Sequence, residues 1–197
     1  MTSIIKVDTI QDTAGNNIIN ENSNTITIGA SGDTTNIVGT LQNNGASVGG
    51  DNTPAFKVKN SSNQSLSNAT NTKLTFDTEV FDSDSAFASN KFTVPSGEGG
   101  KYFISVQTSL QGSNDIRVMR AYVYKNNSLQ YDLQTRLAFN SNLLDAGSSI
   151  PFSANGILDL SASDYLEVFV YIYNTAGGTY QAMSNECIFQ GYKLIGV

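Results

Sequence analysis

Histidine and tryptophan are missing from the 197 residues, and cysteine occurs once, at Cys187. Without histidine there is no Ser-His-Asp triad, no Cys-His pair and no histidine-containing metal site. A single cysteine excludes an intrachain disulfide. Set in the apolar run Cys187-Ile188-Phe189, it is expected to be core. Charge is scarce too: 14% of residues are Asp, Glu, Lys or Arg, with 11 cations, 17 anions and a net charge of -6. The cations form no basic stripe, which disfavours nucleic-acid binding. No run of 18 apolar residues occurs, so membrane insertion is not expected. The opening Met-Thr-Ser-Ile-Ile-Lys-Val-Asp lacks the apolar stretch of a secretory signal, so synthesis in a cytoplasm is expected.

One more absence divides the chain. Residues 1–53 hold no aromatic residue, and all 10 Phe and 9 Tyr follow from Phe56 onward. The first segment is Asn, Thr, Ser and Gly with short aliphatic bursts such as Ile4-Ile5, Ile18-Ile19 and Ile37-Val38. Such bursts suit short strands separated by tight turns, but each is too short to bury itself. Residues 1–53 are therefore expected to form a β-structured arm or stalk, ordered by winding with other copies or by docking on a partner.

Residues 54–197 read as an all-β sandwich. Tyr102, Ile104, Val106, Thr108 and Leu110 alternate with Phe103, Ser105, Gln107 and Ser109, the period-two pattern of a half-buried strand. Pro95 should end the strand before it, and glycines 97, 99 and 100 should allow the reversal. A second alternation predicts one strand over 73–81, with Leu74, Phe76, Thr78 and Val80 on one face. Asn126-Asn127 should turn a hairpin. About eight strands at regular spacing, with no helical period, indicate a sandwich. Over 165–173 both faces are apolar or aromatic. Leu166, Val168, Val170 and Ile172 suit the core. Tyr165, Phe169, Tyr171 and Tyr173 suit contact with another copy of the chain.

The second region resembles the jelly roll of the complement first-component globular heads and tumour-necrosis-factor-like domains. The resemblance rests on Phe92-Thr93-Val94-Pro95 followed by Gly100-Lys101-Tyr102-Phe103, on Val123-Tyr124-Lys125-Asn126, on Gly156-Ile157-Leu158-Asp159-Leu160, and on the ending Phe189-Gln190-Gly191-Tyr192-Lys193-Leu194. It implies a trimer about a three-fold axis. No collagen repeat precedes it. The first region resembles, more loosely and by composition, the virion-proximal parts of fibre proteins from marine tailed bacteriophages.

No catalytic residue, cofactor or metal ligand is expected. Asp159, Asp164 and Glu167 cluster in sequence and offer the two carboxylates a glycosidase needs, but they read as turn capping and strand-edge solvation. Asp82-Ser83-Asp84 begins like a calcium loop yet lacks its later Gly and Glu. The glycines of 96–100 are not followed by a helix carrying Lys-Ser or Lys-Thr, so they are no phosphate cradle.

The expected role is a virion structural protein: a homotrimeric tail fibre or fibre tip. Residues 1–53 would join other virion proteins, and the sandwich would meet a host-surface glycan or protein. A capsid head-decoration protein is the alternative within that class, and a small polysaccharide-degrading enzyme the alternative outside it. In a jelly roll the first and last strands are antiparallel neighbours, which places the loops 111–115, 138–149 and 174–186 at the end away from the arm. Asn114, Asp115, Asn140, Asn142, Asn174 and Tyr180 are the receptor-contact candidates there, since amides bond sugar hydroxyls and a tyrosine ring covers an apolar sugar face.

Overall fold

A computed structural model describes residues 36–39, 41–43, 46–47, 52–113, 116–140, 148–175 and 177–195. The chain divides into two compact units, Met1–Val48 and Gly49–Val197. In the first, β1 (Gln42–Asn43) pairs antiparallel with β2 (Ala46–Ser47). The bursts at 4–28 lie outside the described residues.

The second unit holds thirteen strands and, among the described residues, no helix. They are β3 (Ala55–Lys59), β4 (Gln64–Leu66), β5 (Thr72–Lys73), β6 (Thr78–Asp82), β7 (Phe87–Ala88), β8 (Lys91–Thr93) and β9 (Gly100–Gly112), followed by β10 (Ile116–Lys125), β11 (Ser128–Ala138), β12 (Ser149–Leu160), β13 (Tyr165–Asn174), β14 (Tyr180–Ala182) and β15 (Ile188–Lys193). The first sheet runs β12-β9-β15-β3-β6, with β14 on β9 beyond β15 and β4 on β14. The second runs β11-β10-β13-β8-β7, with β5 also on β13. All pairings are antiparallel, and from β9 the chain passes repeatedly between sheets. The orders β3-β15-β9-β12 and β8-β13-β10-β11 are those of a jelly roll.

The long strand β9 supplies the frame. Tyr102, Ile104, Val106, Thr108 and Leu110 all face inward and are fully buried. One edge pairs with β12 from Gln111↔Ser149 to Gly100↔Leu160, and the other takes β15 and then β14. The preceding strand stops at Thr93, two residues before Pro95. The reversal places Gly97 at φ +83° and Gly100 at φ +149°, conformations that L side chains adopt at a cost. Asn126 and Asn127 lie at φ +50° and +64°, the conformation of a type I′ hairpin turn.

One expected strand is two. Over 73–81 the chain leaves β5 on the second sheet and enters β6 on the first. Leu74 and Phe76 are buried during the crossing, whereas Val80 is 52% exposed. A segment that changes sheets keeps no single inner face, so the alternation breaks. The loop expected over 174–186 contains the short strand β14, which pairs with β4.

Between the sheets lies an aromatic cluster. Phe56 of β3 stacks on Phe92 of β8 with centroids 4.4 Å apart, and meets Phe189 of β15 edge-on at 4.8 Å. Phe76 and Phe87 close the same cluster, and Tyr102 touches Phe92 at 5.6 Å. Cys187 is fully buried, and burial pushes its thiol pKa up. Phe56→Ala is expected to lower the unfolding free energy by about 3–5 kcal/mol, since it opens a cavity at the stack. Urea denaturation of the variant measures it, and a loss below about 1 kcal/mol would show that the stack is dispensable.

Candidate interaction surfaces

The outer face of the first sheet carries an apolar row. Ile157, Phe103, Tyr192 and Ala55 are successive cross-strand partners on β12, β9, β15 and β3. Phe103 and Tyr192 have ring centroids 5.4 Å apart. Ile157 is 59% exposed, and Phe81 on neighbouring β6 is 50% exposed. Ala55, Phe81, Phe103 and Tyr192 are among the residues that line a hollow of about 230 Å³ there. Gly191 keeps β15 close: a Cβ at that position would come within 2.9 Å of the Phe103 carbonyl oxygen.

The outer face of the second sheet is different in kind. Tyr165, Phe169 and Tyr171 are half-buried by partners from their own chain, and Tyr173 is half-exposed. Lys91 lies over the Tyr165 ring at 4.7 Å and Arg120 over the Tyr171 ring at 5.4 Å. Phe169 meets Tyr124 at 4.8 Å. Lys73 and Glu167 form an ion pair at 2.6 Å among them. The face is thus aromatic and cationic, and its apolar area is largely covered within one chain.

At one end of the sandwich the connections after β9, β11 and β13 come together, as Ser149↔Gln111, Ile116↔Asn174 and Tyr180↔Gly112 require. Pro54 is at the other end, where its carbonyl accepts from Lys193 N–H. Gln111, Gly112, Ser113, Thr179 and Gln181 line a polar hollow of about 120 Å³ at the loop end. Ser113 ties the two loops together: its N–H donates to the Thr179 carbonyl, and its Oγ accepts from Thr179 N–H at 3.0 Å.

Of the receptor-contact candidates, Asn114, Asp115 and Asn142 lie outside the described residues. Asn140 is exposed, and its carbonyl accepts from Arg117 Nη1. Asn174 and Tyr180 are only 2% and 5% exposed. Asn174 exchanges backbone bonds with the Asn68 amide, and the Tyr180 ring fills the space under Gly112. Both side chains are framework of the loop end rather than contacting groups. Their tyrosine-amide chemistry was legible in sequence, but their orientation was not, because the short strand β14 was read as loop.

The acids do structural work where they are described. Asp82 accepts from the Ala86 and Phe87 N–H groups and holds the turn into β7. Asp164 accepts from Ser161 N–H and Asn126 Nδ2, and pairs with Lys125 at 2.8 Å. Asp159 is exposed on β12. Among the described residues no three acids or cysteines gather as a metal site would require.

The chain resembles solved jelly rolls. The globular domain of the zebrafish complement 1qA protein aligns at 18% identity over 72% of this chain and 97% of its own, with a TM-score of 0.45. The Eiger TNF from S. frugiperda aligns at 18% identity over 73% and 93%, with a TM-score of 0.49. No family model and no curated protein matches the sequence.

Asp164 gives a pH test. The Lys125 side chain, above all, holds its carboxyl below the usual range. A lowered folded pKa contributes stability above the unfolded value of about 4, lost as pH falls through the folded pKa. Asp164→Asn should cost about 1 kcal/mol at pH 7, where a partly exposed ion pair is lost and one of the two carboxylate acceptors becomes a donor. Thermal melts from pH 7 to pH 2 should show the difference from wild type closing below about pH 4. A difference that persists undiminished at pH 2 would assign the stabilisation to shape rather than charge.

Proposed function

We propose that this protein is a non-catalytic attachment protein of a tailed-phage virion. Its sandwich assembles as a homotrimer, residues 1–53 dock on other virion proteins, and the three-loop end faces the host. The observation that supports the assembly is the row Ile157-Phe103-Tyr192-Ala55 with its hollow, in which Ile157 and Tyr192 are exposed; the virion role rests on the compositional resemblance of residues 1–53. Contiguous apolar surface beside polar strands marks a protein contact. A second copy is the occupant proposed, and the number three is what the sequence resemblance to trimeric jelly rolls implies. We place the subunit contact on the first sheet rather than on Tyr165, Phe169, Tyr171 and Tyr173, whose rings are interleaved with Lys73, Lys91 and Arg120. Support for the outward direction is geometric: Pro54 and the three converging loops lie at opposite ends.

Light scattering of the full chain should give about 63 kDa, three times 21.1 kDa. Tyr192→Asp should shift the mass toward 21.1 kDa by placing an unpaired carboxylate in the contact. A wild-type monomer at micromolar concentration would refute the assembly.

Virion attachment is tested separately. Particles labelled with an antibody against the sandwich should carry label on the tail, and protein starting at Pro54 should fail to incorporate. Label on the capsid would make this a head fibre, and absence from particles would refute the virion role.

A further inference from the structure

All three arginines of the chain, Arg117, Arg120 and Arg136, lie on β10 or β11. Arg120 and Arg136 are direct cross-strand partners. Arg120 is also the partner of Tyr171 on β13, so the three share the outer face of the second sheet. Like charges opposite one another weaken a strand pair. Among the described residues no carboxylate pairs with either guanidinium, although the chain carries a net charge of -6. An acid could have been placed beside them, as Glu167 is beside Lys73 on the same face.

The arginine pair is held as well as uncompensated. The Arg120 guanidinium lies over the Tyr171 ring at 5.4 Å, and its Nη1 donates to the Tyr122 hydroxyl at 3.2 Å. Its Nε is buried with no acceptor among the described residues. That buried Nε lies out of a ligand's reach, so the terminal Nη groups of this oriented arginine are what would meet a carboxylate. Arg136 is exposed on the edge strand and brings a second fork to the same place. One row along the face, Tyr173 offers a half-exposed ring.

We propose that Arg120 and Arg136, with Tyr171 and Tyr173, bind an acidic saccharide, its carboxylate between the guanidiniums and its apolar ring face on tyrosine. A saccharide is the ligand proposed because flat tyrosine rings lie beside the guanidiniums on one sheet face, as a pyranose ring that bears a carboxylate requires. The site lies apart from the three loops and from the apolar row, so it stands whether or not those carry attachment or assembly.

Titration calorimetry of the full chain with tetragalacturonate tests it, with the methyl-esterified tetramer as the neutral control. Wild type should bind the acid and not the ester. Arg136→Gln, an exposed change that leaves the core alone, should weaken binding at least about tenfold, the worth of one charge-assisted bond. Arg120→Gln should do the same, and Arg120→Lys should recover part of the loss. Failure of wild type to bind, equal binding of the ester, or unchanged affinity in Arg136→Gln would each overturn the proposal. So would a drop in assembly mass with Arg136→Gln, because the missing carboxylate would then belong to a second copy.

Discussion

The stack of Phe56 on Phe92 is the contact on which this sandwich depends. One ring belongs to the first sheet and the other to the second, and Phe189 and Tyr102 brace them from β15 and β9. Two sheets joined by no strand pairing need side chains to fix their spacing, and aromatic rings supply the largest buried area per residue. With so few charges in the chain, burial rather than ion pairing must carry the stability.

The two outer faces show how similar strands acquire different chemistry. On β9 and β15 the outward positions at one level are Phe103 and Tyr192, and among the described residues no cation lies over either ring. On β13 the outward aromatics are interleaved with Lys73, Lys91 and Arg120. The same residue type therefore reads as an open apolar surface on one sheet and as a platform for charge on the other.

That distinction marks the limit of what could be read in sequence. Period-two alternation located β9 and β13 and assigned their inner faces, because burial enforces it on every second residue. The Asn126-Asn127 turn and the Pro95-to-Gly100 reversal were legible because their backbone demands particular residues. Alternation says nothing about what covers an outer face, since the covering groups come from strands distant in sequence. Lys91 and Arg120 reach the β13 tyrosines from more than 45 positions away, and no local pattern announces them. The same reason hides the burial of Asn174 and Tyr180, which is decided by Asn68 and Gly112. The crossing at 73–81 was misread because its apolar residues serve two sheets in turn.

The strand order has a bearing on how the chain reaches this state. β3, first in the sandwich, lies between β6 and β15, and β15 is also what joins it to β9. Until 188–193 have been synthesised, β3 and β9 have no common neighbour, and the Phe56 ring lacks its edge-on partner. The first sheet therefore cannot be assembled progressively as the chain emerges. Completion waits for the last strand to insert between two already made, a closure over more than 130 residues that belongs to slow-folding topologies. During that interval the inner edges of β3 and β9 are open to strands of neighbouring chains, so a low local concentration or a holding chaperone favours correct closure over entanglement.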